Sequence, residues 1–168
     1  MSKRGTNPER DAVKEYLQQY HDAKIKKRIL EERRCALSAD LRNPGITSSC
    51  RQIPRSKAQA HESGAVSLVY RMAEIEDRIV QQQDAMAAAV LHVMDMIDLL
   101  PPSSMERTIV EMRHIDCKPW EQIAKAVHMS RSRVFDYYNA ALDKLLSCGR
   151  TERLLGDYAA AQRKSERR

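Results

Sequence analysis

Apolar positions recur at helical spacing over two long stretches of the chain. From about Pro8 to Leu41, the residues Val13, Tyr16, Tyr20, Ala23, Leu30, Leu37 and Leu41 follow alternating steps of three and four, with Lys27 and Arg34 interrupting. From about Val66 to Leu99 the same spacing picks out Val69, Met72, Ile79, Met86, Val90, Val93 and Ile97, with Glu76 and Gln83 interrupting. Sustained heptad spacing predicts two long amphipathic helices that pack as a coiled coil. A third stretch, Leu100 to Leu146, breaks into three shorter periodic segments.

The helix breakers fall between these segments. Gly5 and Pro8 lie at the start, and Pro44, Gly45, Pro54 and Gly64 fall within residues 42–65. Pro101, Pro102 and Pro119 bound the first of the shorter segments, and Gly149 and Gly156 mark the last stretch. With only 5 Gly and 6 Pro in 168 residues, and 5% aromatics, a β-sandwich or barrel is excluded and an all-α chain is expected. The predicted architecture is a long antiparallel coiled-coil hairpin over residues 1–99, with a basic loop at 42–65. A compact C-terminal module over 100–148 and a basic tail over 149–168 complete it.

Charge sharpens the pairing. The chain carries 29 Lys and Arg against 23 Asp and Glu, a formal +6. Residues 1–41 have 10 basic and 7 acidic side chains, whereas residues 66–99 have 2 and 6. Helices of opposite sign favour each other over self-pairing. The polar interruptions leave both a single-chain hairpin and a homodimer through that hairpin open. A basic balance suits a nucleic-acid partner. No run approaches 18 apolar residues, so no membrane partner is expected. The first residues carry no apolar signal core, and the cysteines Cys35, Cys50, Cys117 and Cys148 form no CxxC pattern. Free thiols in a cytoplasmic protein are therefore expected, with no metal and no cofactor. The histidines are scattered, and no phosphate loop, nucleophile elbow or HExxH is present, so no enzymatic activity is expected.

Within LPPSSMERTIVEMRHIDCKPWEQIAKAVHMSRSRVFDYYNAALDKLL the chemistry is more specific. Ser103 or Ser104 can cap a first helix that presents Ile109, Met112 and Ile115. Pro119 suits the first turn of a second helix, carrying Trp120, Ile123, Ala124 and Val127. His128-Met129 is a tight turn, and Ser130 caps a third helix through Val134, Tyr137, Tyr138, Ala141, Leu142 and Leu145. This is a helix-turn-helix pattern, with small Ala124 where two helices cross. The candidate DNA-binding residues are Ser130, Arg131, Ser132, Arg133, Phe135 and Asp136, the early positions of the third helix. A recognition helix sets such positions against base edges and phosphates. Lys118, Lys125, Lys144 and Arg113 are either phosphate contacts or ordinary surface charges.

The same stretch resembles region four of bacterial sigma factors. The resemblance rests on Leu100-Pro101, Glu106-Arg107, Glu121-Gln122-Ile123-Ala124, Met129-Ser130 and Ala141-Leu142-Asp143-Lys144-Leu145, about 47 residues of the chain. The whole chain is similar to sigma-like phage and prophage proteins of low-GC Gram-positive bacteria, and to phage late-operon activators. The resemblance implies a sequence-specific transcriptional regulator that binds double-stranded DNA and contacts host RNA polymerase. It departs at His128, where the family often has Gly, and at Phe135 and Asp136, where it often has Arg and Gln. A complete sigma factor also melts promoter DNA with exposed aromatics. Here Tyr16, Tyr20 and Tyr70 lie on or near the heptad stripes and are expected in the core, so initiation by this chain alone is not expected. The alternative reading is a small terminase-like packaging or structural coiled-coil protein.

Overall fold

The computed structural model describes residues 7–42 and 57–166, all in helices and their connections. The helices are α1 (Pro8–Arg42), α2 (Lys57–Ile97), α3 (Met105–His114), α4 (Trp120–Ala126), α5 (Arg131–Leu146) and α6 (Gly149–Glu166). Among the described residues no helix is long and apolar enough to cross a membrane. The predicted basic loop lies mostly outside the described residues, and α2 begins nine residues earlier than the apolar pattern indicates.

Two compact units divide the chain, one formed by residues 1–22 with 87–168, the other by residues 23–86. The first holds nearly all of the core. Val13, Tyr16 and Leu17 of α1 and Val93, Met96, Ile97 and Leu100 at the end of α2 are buried with Ile109 and Val110 of α3. Ile123 of α4 and Val134, Tyr138, Ala141, Leu142 and Leu145 of α5 complete it. The Tyr16 hydroxyl donates to the His92 carbonyl at 3.1 Å. Burial, followed by the nearby Asp95 and Asp157 carboxylates, pushes the Tyr16 hydroxyl up to about 12.

Pro101 explains where α2 stops, because the residue before a proline is driven out of helical geometry. The last turn closes through tighter bonds, Leu99 to Met96 and Leu100 to Ile97. Ser104 then caps α3, its hydroxyl accepting from the Arg107 amide at 3.2 Å. Ile109 is buried as its pattern requires, while Met112 and Ile115 are half-buried and the inward face continues through Val110 and His114.

Within the basic tail, Gly149–Glu166 form α6. Gly149 and Gly156, read from the sequence as punctuation, both lie within α6. Leu154, Leu155 and Tyr158 pack against the core, and the Tyr158 ring meets that of Tyr16 edge-on at 5.2 Å. The buried Thr151 hydroxyl donates to the Leu145 carbonyl at 2.6 Å, fastening α6 to the end of α5.

In the second unit only Ala23 and Ile79 are buried among the described residues. The Gln82 side-chain amide donates to the Ala23 carbonyl at 3.2 Å. The inward stripe of α2 here is Leu68, Met72, Ile75, Ile79, Gln82 and Met86, all less than fully exposed. It keeps the predicted Met72, Ile79 and Met86 but replaces Glu76 by Ile75, Gln83 by Gln82 and Val69 by Leu68. This register removes the charged interruption from the packed face. Val69 turns outward, and Tyr70, expected in the core, is 73% exposed.

Candidate nucleic-acid interface

The turn between α4 and α5 fixes how α5 is presented. The His128 amide bonds the Lys125 carbonyl at 3.3 Å, and the Met129 amide bonds the Ala124 carbonyl at 3.0 Å. These are the paired closing bonds of a helix terminated by a left-handed residue. His128 is that residue, with φ 52°. A histidine thus takes the geometry for which glycine is favoured.

Ser130 caps α5, its hydroxyl accepting from the Arg133 amide at 3.3 Å. The Arg131 and Ser132 amides precede the first intrahelical bond, which runs from Val134 to Ser130. They therefore point outward from a positive helix end, a geometry suited to a phosphate oxygen.

Among the candidate residues, Ser130, Ser132, Arg133 and Asp136 are exposed. Arg131 is exposed too but is turned back toward α4. Its guanidinium lies 3.7 Å from a Glu121 carboxylate oxygen and 5.7 Å from the centre of the Phe135 ring. Phe135 turns toward the protein. It is half-buried, with its ring 4.6 Å from that of Trp120 and tilted 39°. Ring burial against Trp120 outweighs display to solvent at this position.

Trp120 organises this side of the module. Tyr138 meets it edge-on at 5.0 Å, and the Arg113 guanidinium sits 4.8 Å over its ring. Arg113 also donates to the Lys118 carbonyl at 3.0 Å. Of the other basic candidates, Lys144 donates to Glu106 at 2.6 Å and Lys118 pairs with Asp116 at 2.8 Å, whereas Lys125 is exposed. The Lys144 ammonium holds the Glu106 carboxyl below its ordinary range. Arg107 bridges Glu111 at 2.8 Å and Asp98 at 2.6 Å, and the bond to Glu111 raises its already high pKa. The adjacent Glu106 and Arg107 therefore tie α3 to α5 and to Asp98 just after α2.

Three features escaped the sequence reading. Asn139 is exposed and stands three residues beyond Asp136, on the same side of α5 as Ser132; that spacing was the available signal. Cys117 has φ 56°, a second left-handed residue just after α3. His114 is buried, with its Nε2 3.0 Å from the Tyr138 hydroxyl, and its Nδ1 has no hydrogen bond of sound geometry. Burial first, then the Arg113 charge, lowers the His114 pKa to about 4 against weak opposition from the Leu17 backbone. Burial raises Tyr138 to about 12. Both groups are neutral at pH 7 and serve packing. Compared with protein-family models, curated proteins and solved structures, the chain matches none of them.

Proposed function

We propose that the chain is a sequence-specific DNA-binding transcriptional regulator of a phage or prophage, with host RNA polymerase as a second contact. In this reading α1 and α2 form an antiparallel coiled-coil hairpin, and α3, α4 and α5 form a helix-turn-helix module of the region-four type. Pairing of Tyr16 with His92 and of Gln82 with Ala23 supports the antiparallel direction. The observation that carries the DNA reading is the N-terminal turn of α5: a Ser130 cap, two outward amides and an exposed Ser132–Arg133 pair, set at a fixed angle by the left-handed His128.

In the major groove Arg133 would bond guanine or phosphate, and Asp136 would accept from the cytosine amino group. The Arg131 and Ser132 amides would take a phosphate oxygen. Selection of genomic DNA fragments by the purified chain, with and without RNA polymerase, tests the reading. Enrichment of a defined sequence supports a regulator, and enrichment only in the presence of polymerase supports a sigma-like factor. Equal retention of all fragments, or binding confined to a packaging site, overturns it.

A further inference from the structure

The second unit presents an apolar face that nothing in the chain covers among the described residues. On α2, Val66, Val69, Tyr70 and Val80 are large, apolar and more than half exposed, and Ala73 is exposed between them. At 100° per residue they cluster roughly 135° around the helix from the inward stripe of Leu68, Met72, Ile75 and Ile79. Asp77 and Asp84 lie on the same outer side, both exposed. α2 is thus apolar on two faces, and one of them has no partner among the described residues.

α1 carries the complement. Its outer side repeats Ile25, Ile29 and Ala36 at helical spacing, with Ile29 and Ala36 exposed. Exposed Lys26 and Arg33 flank that row, and residues 24–42 hold 7 basic against 3 acidic side chains. Residues 66–86 of α2 hold 2 basic against 4 acidic. The outer row of α2 thus carries Asp77 and Asp84 among its apolar side chains, and the outer row of α1, which also holds the exposed Glu32, is bordered on one side by Lys26 and Arg33. Among the unit's described residues only Ala23 and Ile79 are buried.

We infer that a second copy of this chain docks here, the outer face of α1 in one copy lying on the outer face of α2 in the other. Apolar burial supplies the attraction, and the opposed charges select α1 against α2 over α2 against α2. The inference is independent of DNA binding.

Sedimentation equilibrium of the full chain tests it, with circular dichroism as a check on helix content. The wild type is expected to have twice the 19.3 kDa chain mass. The double substitution Val69→Ser and Val80→Ser should lower the mass to that of one chain. Two surface variants, one with Lys26→Glu and Arg33→Glu, the other with Asp77→Lys and Asp84→Lys, should each be monomeric alone, because like charges then face each other. Mixing them in equal amounts should restore the dimer. A monomeric wild type overturns the inference, whatever else lies on the face. So does a dimer indifferent to the charge variants, or two monomeric charge variants that stay apart when mixed.

Discussion

The His114 imidazole and the Tyr138 hydroxyl meet at 3.0 Å in the core, joining α3 to α5 by a hydrogen bond with no charge on either group at neutral pH. Their rings lie 5.8 Å apart and stacked. The consequence is acid sensitivity. The folded His114 titrates at about 4, below the 6.5 of a free histidine, so the unfolded chain takes up this proton first. Its contribution is complete above pH 6.5 and is lost as pH falls toward 4, by about 3 kcal/mol in all. Urea denaturation at a series of pH values should show a steeper acid loss in wild type than in His114→Gln; parallel profiles would refute the assignment.

Glu106 and Lys144 join the same two helices at the surface, at 2.6 Å. The Glu106 carboxyl is depressed, so its share of stability is present above the ordinary carboxylate range and is lost as pH falls through the lowered value. Lys144 is half-exposed, which keeps the coupling small. A double-mutant cycle with Glu106→Gln and Lys144→Met should yield about 0.2–1 kcal/mol, decreasing with added salt.

His128 and Cys117 hold φ values of 52° and 56°. Glycine relieves the crowding of Cβ in that region, while a β-branched residue worsens it. His128→Gly should therefore raise stability by up to about 1 kcal/mol and His128→Val should lower it by about 1–2 kcal/mol. Thermal unfolding followed by circular dichroism would read both changes, and an equal effect of the two substitutions would contradict the turn geometry.

Gly156 sits inside α6, and a Cβ added there meets nothing within 4 Å. Alanine loses less backbone freedom on folding, so Gly156→Ala should stabilise the protein by about 0.5–1 kcal/mol. A destabilised variant would mean that α6 is not helical at this position in solution.

Arg133 and Arg131 are expected to differ in DNA binding. Arg133 is exposed, whereas Arg131 leans on Glu121 and Phe135. Arg133→Ala should cost about 1–3 kcal/mol of affinity for the selected sequence, and Arg131→Ala less. Fluorescence anisotropy with labelled duplex measures both, and the single Trp120, packed against Phe135 and Tyr138, reports whether the module is intact.

The legible parts of the fold were those where local chemistry decides. Ser104 and Ser130 cap helices because a serine hydroxyl before an apolar run has few better uses, and Pro101 and Pro119 bound helices through their own ring geometry. The α2 register was not decided locally. Two heptad stripes share Met72, Ile79, Met86 and Val93, and spacing alone serves either; Ile75 in place of Glu76 was the distinguishing signal. α6 was obscured because two glycines outweighed Leu154, Leu155 and Tyr158, whose partners lie far away in sequence. In the candidate site, the cap and Arg133 were legible from residue type. The turning of Phe135 onto Trp120 depends on the angle between α4 and α5, which no spacing encodes.

The contact between Tyr16 and Tyr158 bears on the order of events during synthesis. Arg10 and Asp143, which also pair, are separated by 133 residues. During translation α3, α4 and α5 can settle on one another through nearby contacts. Val13, Tyr16 and Leu17 meanwhile find α2 and α3 first, but their cover is complete only when α5 and α6 have emerged from the ribosome. An early apolar segment therefore waits, incompletely covered, for a late one, and such distant closures slow folding and expose the nascent chain to aggregation.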